Sequence, residues 1–413
     1  MNKPLLIIGY IWPEPNTTAA GHRMLQLIHI FKTFGYHLTF GSTALRTEHT
    51  ENLEALGVDC VSLKLNHYSF DEFIRQLNPF VVVFDRFMME EQFGWRVAQN
   101  APNAIRILNT EDLHSLRKTR EECHKNEIEF SVGQWLQNDI TKREIASIYR
   151  SDLTLIISAF EMELLTKKLN LPDNILLHLS FMLDGIGGKE RQAWPGFEVR
   201  RDFISYGNGR HAPNVDSINY LKKTIWPLIR KELPDANLKI YGAYLPQQVQ
   251  QMHNPKEGFQ VMGWAANLDQ EIQKARICLA PLRFGAGIKG KLVDAMKNGT
   301  PSITTAIGAE GMCGGLPWNG VVTDDVPSFA KEAIELYQNK ERWEEAQSNG
   351  IQIINRLYDK NLVRDRLKNC LETIETNLGA QRGQNFIGQL LQHQTLASTK
   401  YMAKWIEEKN KGK

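Results

Sequence analysis

The chain has 413 residues, and its 49 lysines and arginines against 47 aspartates and glutamates give a net charge of +2. Hydrophobic residues make up 42% and charged residues 23%, which excludes collagen-like, disordered and disulfide-scaffold proteins. The even charge balance lacks the clustered basic excess of a nucleic-acid-binding surface, so no nucleic acid partner is expected. At about 150 residues per domain, the length predicts two domains and an appendage.

The five cysteines indicate reduced thiols and a cytoplasmic location. They lie far apart, form no Cys-x-x-Cys pair and total an odd number, so neither a zinc site nor a disulfide framework is predicted. The apolar run that begins at Leu5 is cut by Pro13 and Pro15, which favours a first buried strand over a signal peptide. No stretch approaches the roughly 20 apolar residues of a membrane span, so any membrane association is expected to be peripheral.

Short apolar runs alternate with helical patterns in the first half of the chain, as is typical of a parallel sheet covered by helices. The predicted strands cover residues 5–10, 37–41, 58–63, 80–85, 104–108 and 153–158. The helix after the first strand shows apolar residues at steps of three and four. These residues are Met24, Leu27, Ile28, Phe31 and Phe34. The sequence therefore predicts a doubly wound α/β domain over residues 1–185.

Glycine and proline residues at positions 186–200 predict a linker between two domains. A second strand series follows, which predicts a second Rossmann-like domain over residues 201–350. Its strands cover residues 203–206, 238–241, 259–262, 277–280 and 302–304. From Pro327 onward the pattern is helical, and we expect residues 351–376 to cross back to the first domain.

Residues 377–413 are predicted to form a helical, amphipathic tail. Its apolar residues are Phe386, Leu390, Leu391, Met402, Trp405 and Ile406. Packing against the protein is favoured over surface anchoring, because the lysines at the end of the tail are few and interleaved with Glu407 and Glu408.

A glycine-rich turn in the second domain is predicted to bind phosphate. The strand that ends near position 280 runs into a loop with Gly285, Gly287 and Gly290, and a helix follows. Glycines let backbone N–H groups approach an anion, and the helix N-terminus adds its positive dipole end. Lys289 and Lys291 add two mobile positive charges. Asp294 shares a helix face with Lys291 and is available to ribose or sugar hydroxyls.

Two motifs for other nucleotide chemistry are incomplete. Residues 285–291 fit the P-loop spacing, but Leu292 stands where a Ser or Thr would hold magnesium. Residues 207–212 follow a strand in the manner of a dinucleotide-binding turn, but Pro213 interrupts them and no acidic residue ends the next strand. A kinase, an ATPase and a nicotinamide-dependent enzyme are therefore disfavoured.

The first domain has its own strand, loop and helix over residues 13–24. Gly21 stands where the helix begins and would let the backbone approach a phosphate, with His22 beside it. Two facing glycine turns predict a ligand between the domains. The alternative for His22 is a structural role at the start of the helix.

Several segments of the second domain together resemble the donor domain of glycosyltransferase family 4. They are residues 206–208, 213–216, 240–242, 262–264, 280–291, 295–296, 299–301 and 304–311. The chain to about residue 375 is similar to that family's GT-B architecture, in which two Rossmann-like domains face a cleft. The resemblance implies a retaining transfer of a sugar from a nucleotide-sugar to an acceptor such as a glycan or a lipid-linked saccharide, with no metal or other cofactor.

The resemblance also implies roles for individual residues. Lys289 and Lys291 would stabilise the negative charge that grows on the leaving diphosphate. The donor-binding candidates are Gly21, His22, Asn208, Arg210, Trp264, Gly285, Gly287, Lys289, Lys291, Asp294 and Glu310. Glu310 has an alternative role as a carboxylate that stabilises its own loop. The sequence contains no Asp-x-Asp motif, the metal-binding pair of sugar transferases of the other common fold.

Two positions depart from the family pattern. Ala286 stands where many members carry the first carboxylate of a Glu-x7-Glu pair, so only Asp294 remains at the second position. Asn208 replaces an arginine that often grips the diphosphate, and Arg210 is the candidate substitute.

A segment after the fifth strand resembles the Asp-x-His…Arg segment of related transferases. Asp112 is expected to orient His114, and His114 to contact the donor sugar or manage the acceptor proton. Arg117 and Arg120 are candidates for contact with an anionic acceptor, with solvation of a helix as the alternative. Glu161 lies after the next strand, at the same predicted edge of the sheet, where open α/β sheets bind ligands.

Two functions other than sugar transfer stay open. A catalytically silent module that binds a sugar nucleotide is consistent with the missing first carboxylate. A nucleotide-sugar epimerase of similar two-domain shape would need catalytic carboxylates and histidines that the sequence does not reveal.

Overall fold

The computed structural model describes residues 3–393 together with Ser398, Tyr401, Met402, Trp405, Ile406 and Lys409. The strands are β1 (Lys3–Gly9), β2 (Tyr36–Ser42), β3 (Asp59–Ser62), β4 (Val81–Asp85), β5 (Ile105–Asn109), β6 (Leu153–Ile156), β7 (Leu176–His178), β8 (Arg201–Tyr206), β9 (Leu238–Tyr241), β10 (Phe259–Gly263), β11 (Ala275–Ala280), β12 (Ser302–Thr304) and β13 (Gly320–Val322).

The helices connect these strands and form the C-terminal part of the described chain. They are α1 (Ala19–Thr33), α2 (Ser69–Leu77), α3 (Phe87–Asn100), α4 (His114–Lys125), α5 (Val132–Gln137), α6 (Asp139–Arg150), α7 (Ala159–Glu163), α8 (Gly188–Ala193), α9 (Ala212–Tyr220), α10 (Trp226–Glu232), α11 (Gln247–Gln250), α12 (Leu268–Lys274), α13 (Gly290–Lys297), α14 (Ala306–Ala309), α15 (Val326–Gln338), α16 (Lys340–Leu357), α17 (Lys360–Gln384) and α18 (Phe386–Gln392).

The strands form two parallel sheets, one in each half of the chain. The first has the order β3-β2-β1-β4-β5-β6-β7 and the second the order β10-β9-β8-β11-β12-β13. This confirms the predicted fold class of two doubly wound domains. The strands β7 and β13 were not predicted, because three residues at the edge of a sheet are too few to show a hydrophobic period.

Each sheet is buried on both faces, as parallel sheets require. In β1, Leu5 and Ile7 pack into the core on one side of the sheet and Leu6 and Ile8 into the core on the other. Helix α1 covers the first of these cores with Leu27 and its other predicted apolar positions. Continuous apolar strands therefore position the polar loops at the ends of the sheet.

Helix α17 returns to the first domain and completes its core. Val363, Leu367, Leu371 and Ile374 are buried with the residues of β1 and β5. Their spacing of three and four residues places them on one face of the helix. Residues 360–374 thus belong structurally to the first domain, although they follow the second domain in sequence.

The chain crosses between the domains twice, and the two crossing segments lie side by side. The backbone N–H of Leu183, on the outward passage, donates to the carbonyl of Tyr358 at 2.8 Å. On the return passage, the N–H of Lys360 donates to the carbonyl of Leu183 at 2.9 Å. The two crossings are therefore hydrogen-bonded to each other.

The described part of the tail packs on the first domain, but most of its predicted apolar side chains do not take part in this contact. Phe386, Leu390, Met402, Trp405 and Ile406 are all exposed to solvent, between 45% and 70%. Helix α18 instead docks on α6 through its polar and small positions, because Asn385 Nδ2 donates to the carbonyl of Tyr149 at 2.7 Å and a Cβ at Gly388 would meet the same oxygen at 2.2 Å. In the described part of the chain, no helix combines the length and apolar composition that a bilayer crossing needs.

Candidate active site

The glycine-rich loop after β11 is also the point where the two domains touch. A Cβ atom placed on Gly290 would lie 2.3 Å from the Cβ of Ala19, at the start of α1. A Cβ atom on Gly287, which has a φ of 64°, would lie 2.8 Å from the Cβ of Asp112. Close approach of the domains therefore requires glycine at both positions. The loop predicted to hold phosphate lies directly against the first domain.

Lys289 is buried in this loop, which corrects the expectation of a mobile charge. Its side chain is 8% exposed, and Nζ donates to the carbonyl of Gly287 at 2.8 Å. Burial lowers the pKa of Lys289 to about 8, and the carboxylates of Glu310 and Glu161 counteract part of this shift. Its ammonium group therefore already has a partner within the loop.

Lys291 and Asp294 lie together on α13 without protein partners. Within the described residues, neither the ammonium of Lys291 nor the carboxylate of Asp294 has a hydrogen bond or an ion pair at its side chain. Removal from water lowers the pKa of Lys291 to about 8 and raises the pKa of Asp294 to about 7. The backbone is fixed, because Tyr206 donates its hydroxyl to the carbonyl of Lys291 at 2.5 Å. The backbone of the helix is thus anchored, and the two side chains are available to a ligand.

The first domain contributes a hydrogen-bonded group opposite the glycine-rich loop, and we call the two facing surfaces the walls of the cleft. This group consists of Asp112, His114 and Arg117. His114 Nδ1 lies 3.0 Å from Asp112 Oδ1, and Arg117 Nε donates to Asp112 Oδ2 at 2.7 Å. Burial raises the pKa of Asp112, but the charges of Arg117 and His114 outweigh burial and hold it well below its ordinary value. An anionic Asp112 favours a proton on Nδ1 of His114, which leaves Nε2 as the free ring nitrogen.

The position of His114 is set by Glu144, a residue that the sequence analysis missed. Glu144 lies on α6, is fully buried and accepts the backbone N–H groups of His114 at 2.9 Å and Ser115 at 3.0 Å. It therefore caps the start of α4 from a distant segment. The one available signal was a glutamate on the buried face of a predicted helix.

Glu161 connects the two walls of the cleft. Its Oε1 accepts the N–H of Leu113 at 2.9 Å and the N–H of Gly287 at 2.8 Å. Its Oε2 is buried with no partner among the described residues. Burial, together with the charge of Asp112, raises the pKa of Glu161 to about 8, so the carboxyl is mostly protonated at neutral pH. Its observed role is to join the glycine loop to the first domain.

Arg120 and Glu310 form an ion pair between the domains. The two Nη atoms of Arg120 donate to the two carboxylate oxygens of Glu310, each at 2.8 Å, and Nη1 also donates to the carbonyl of Gly285 at 2.9 Å. This corrects the expectation that Arg120 faces an anionic acceptor, because its guanidinium is buried in this pair. Glu310, a predicted donor contact, is likewise held by Arg120.

A second contact between the domains surrounds Glu14, another residue that the sequence analysis missed. Glu14 accepts hydrogen bonds from Thr47 at 2.6 Å, from Thr17 at 2.7 Å and from the hydroxyl of Tyr244 at 3.1 Å. Burial opposes ionisation, but these hydrogen bonds prevail and lower the pKa of Glu14. The Pro-Glu-Pro loop after β1 therefore contacts the second domain through an ionised carboxylate.

The predicted donor residues Asn208, Arg210 and Trp264 lie beside this contact. Asn208 Nδ2 is 3.4 Å from the carbonyl of Thr17, and Trp264 Nε1 is 3.3 Å from the carbonyl of Asn16. The guanidinium of Arg210 lies 3.6 Å from the ring centroid of Tyr244. The structure therefore brings all three to one rim of the cleft. Their roles in donor binding stay predictions.

Gly21 and His22 have structural contacts of their own. The N–H of Gly21 donates to the hydroxyl of Thr18 at 2.9 Å, and a Cβ on Gly21 would lie 2.5 Å from the carbonyl group of Glu14. Packing and helix capping thus account for this glycine. Burial and the charge of Lys297, on α13, lower the pKa of His22, and its role in donor binding stays a prediction.

His211 directly precedes α9 and was not among the predicted site residues. It is accessible to solvent, yet partial removal from water and the charges of Arg117, Lys291 and Arg86 lower its pKa. Cationic groups of both domains thus surround one position. The sequence signal was the location of His211 directly after β8, at the carboxyl end of a parallel strand.

The second domain matches a known protein family. Residues 202–339 match the sequence profile of the family described as Glycosyl transferases group 1. The match identifies a glycosyltransferase domain in the second half of the chain, and the two-domain architecture is that of the GT-B fold. Assignment to family 4 in particular stays a prediction.

Individual proteins are similar to most of the chain in sequence or in fold. The chain is 23% identical over 293 residues to a 44.6 kDa protein in the cps region of Klebsiella pneumoniae, which covers 68% of this chain and 72% of that protein. It is similar in fold to sucrose-phosphate synthase from Thermosynechococcus elongatus, with a TM-score of 0.65, 13% identity and coverage of 90% and 99% of the two chains. HepE of Anabaena in complex with UDP-glucose has a TM-score of 0.63, 12% identity and coverage of 90% and 99%.

Proposed function

We propose that this glycosyltransferase transfers a sugar from a nucleoside diphosphate sugar, held by the second domain, to an acceptor hydroxyl held by the first. The observation that carries the proposal is the pair Lys291 and Asp294. Both side chains project from α13, both are partly buried, and neither has a partner among the described residues. A built site with one cation and one carboxylate fits a diphosphate next to a ribose.

The leaving diphosphate would be stabilised by Lys291 and the N-terminal end of α13. As the bond from the anomeric carbon to the phosphate oxygen breaks, the electron pair stays on the diphosphate. The ammonium of Lys291 and the backbone N–H groups at the helix start are placed to interact with that charge. These groups support a reaction without a metal, since they supply the positive charge that a divalent cation supplies elsewhere.

The first domain would complete the reaction from the opposite wall. The acceptor oxygen bonds to the anomeric carbon on the face that the phosphate leaves, which retains the configuration, and its proton passes to the departing phosphate oxygen. His114, held by Asp112, is the group placed to orient the donor sugar or the acceptor. The contacts at Glu161 and at Arg120 hold the two walls together and exclude water that would hydrolyse the donor.

The proposal extends to the classes of donor and acceptor. A relative of the same fold, HepE, binds UDP-glucose, which supports a nucleotide-sugar donor for this chain. We propose a glycan or lipid-linked saccharide as acceptor and the cytoplasm as the location, with peripheral contact to a membrane. The exposed apolar side chains of Phe386, Ile387 and Leu390 on α18 support such contact.

Turnover of a donor panel tests this function. The purified full chain is incubated with UDP-, GDP- and dTDP-sugars, with and without saccharide acceptors, and release of the nucleotide is measured. Release that rises with added acceptor is the expected result. Isomerised donor would indicate an epimerase. Nucleotide binding without turnover would indicate a silent module, which the Ala286 position favours.

A further inference from the structure

Arg86, at the end of β4, has a backbone conformation that is nearly confined to glycine. Its φ is 74° and its ψ is 154°. The end of the neighbouring strand β5 is followed by Glu111, which also has a positive φ, of 63°. Non-glycine residues in such conformations concentrate at ligand sites, because the surrounding structure must hold them there. The centre of the first-domain wall thus carries backbone strain at two adjacent strand ends.

The guanidinium of Arg86 has no polar partner. Its Nε is buried without a hydrogen bond, and no described residue accepts a hydrogen bond from either Nη atom or forms an ion pair with it. Its one specific contact is the ring of Tyr10, with Cζ 4.8 Å from the ring centroid. Buried polar groups are normally paired, so this unpaired group indicates a missing ligand.

The other arginines of this wall are already occupied. Arg117 is bound to Asp112, and Arg120 is bound to Glu310, although both were candidates for an anionic acceptor. The charge of Arg86 acts on the carboxyl group of Glu111, which accepts a hydrogen bond from Asn109. Burial raises the pKa of Glu111 to about 7, so it is only partly charged at neutral pH. Arg86 is therefore not neutralised by its surroundings.

Arg86 lies close to the proposed chemistry. The next residue, Phe87, packs edge-to-face on His114 with ring centroids 6.0 Å apart. The charge of Arg86 also contributes to the lowered pKa of His211, a residue of the second domain. Tyr10, which holds the guanidinium, is 41% exposed. Arg86 therefore belongs to the first-domain side of the site and directly precedes the residue that packs on His114.

We propose that Arg86, oriented by Tyr10, binds the carboxylate or phosphate of an anionic acceptor and so selects acceptors that carry such a group. A guanidinium presents its Nη atoms as a fork that matches either anion. The acceptor is favoured over the donor because Arg86 belongs to the first domain, whereas the groups proposed for the donor diphosphate are on α13 of the second. This inference rests on the proposed function.

Acceptor-mimic binding tests the assignment. The full chain is saturated with UDP, and dissociation constants are measured by NMR titration for methyl glucuronide, glucose 6-phosphate and the neutral methyl glucoside. We expect the anionic probes to bind at least about tenfold more tightly than the neutral one, since a charge-assisted pair exceeds a neutral hydrogen bond. Arg86→Gln should bring that ratio close to one, and Arg86→Lys should retain part of it. The ratio between the two anionic probes distinguishes a carboxylate acceptor from a phosphate acceptor.

The matched control is Arg143→Gln, which removes an exposed arginine that lies over the ring of Phe87 and pairs with Glu91. It should leave the ratio unchanged. Equal affinity for anionic and neutral probes in the wild-type chain, or an unchanged ratio in Arg86→Gln, would overturn the inference, as would a loss of UDP affinity in Arg86→Gln. Failure of the proposed function looks different. In that case UDP, GDP and dTDP all fail to bind, or bind independently of Lys291, while probe binding is still measurable without nucleotide.

Discussion

The two walls of the cleft are built in different ways. On the second-domain wall, the loop glycines, Lys289, Lys291 and Asp294 all lie within residues 285–294. On the first-domain wall, the polar groups come from separate segments, with Glu14 after β1, Asp112 after β5, Glu144 on α6 and Glu161 after β6. The groups proposed for the diphosphate thus form one continuous stretch of sequence, whereas the polar groups of the first domain come together only in the folded chain.

This difference explains why the sequence of the second domain matches a known family whereas that of the first does not give the same signal. The family match covers residues 202–339 and therefore the second domain alone. A diphosphate needs glycines, a helix start and a cation in close succession, and those requirements leave a local pattern. An acceptor is contacted by side chains that the sheet topology brings together, so its recognition leaves no local pattern.

The largest effect is expected from the second-domain wall. Lys291→Ala should reduce kcat by about 100- to 1000-fold, or about 3 to 4 kcal/mol, because it removes a positive charge next to the leaving group. Acceptor-dependent nucleotide release measures the loss. Lys274→Ala is the control, since Lys274 is exposed and pairs with Glu271. Turnover unchanged in Lys291→Ala would exclude this lysine from the mechanism.

The contact between the walls can be broken and restored. Gly290→Ala should lower kcat/KM, with a rise of about 1 to 3 kcal/mol in the activation free energy. The new methyl group would overlap the Cβ of Ala19 and hold the domains apart. The isolated helix would not be weakened, since alanine is the better helix former. Adding Ala19→Gly should recover most of the activity. A double variant no better than Gly290→Ala would show that the overlap is not the cause.

The Arg120–Glu310 pair should contribute a smaller, measurable coupling across the cleft. In a double-mutant cycle with Arg120→Gln and Glu310→Gln, we expect a coupling free energy of about 1 to 2 kcal/mol in kcat/KM, as for partners in direct contact. The exposed pair Lys331 and Glu335 on α15 serves as the reference cycle, with an expected coupling near zero. Additive effects at Arg120 and Glu310 would contradict a functional link.

The smallest effect is a dependence of nucleotide affinity on pH. Lys291 must be protonated to bind phosphate, so affinity should fall as the pH rises through its pKa of about 8. Asp294 must be ionised to accept hydroxyl hydrogen bonds, so affinity should also fall as the pH drops through its pKa of about 7. UDP titrations from pH 6 to 9 should give a bell-shaped curve. Asp294→Asn should remove only the acidic limb.

Much of the fold could be predicted because buried strands and amphipathic helices have clear periods. Every predicted strand is present, and α17 crosses back to the first domain with Val363 and Leu367 in its core. Edge strands such as β7 were missed because they are short. The exposed apolar positions of the tail, such as Phe386, were misjudged because periodicity identifies an apolar face but not what covers it.

The candidate site was predicted in part. The segments that contain Lys291, Asp294 and His114 were identified, because strand ends and glycine turns mark them. The pairing of Arg120 with Glu310 was not, since it depends on how the two domains meet. Glu144 and Arg86 were also missed, because hydrogen bonds over long sequence distances and backbone strain have no signature in a single sequence.

The paired crossings at Leu183 and Tyr358 limit how the enzyme can open. A single flexible tether would let one domain swivel freely relative to the other, whereas two strands bonded side by side resist twisting. If the domains separate, one should therefore rotate relative to the other about a single axis that passes through the paired crossings. Each return would then bring Gly290 back against Ala19 and Glu310 back against Arg120 in the same alignment, so that repeated catalytic cycles reassemble an identical site.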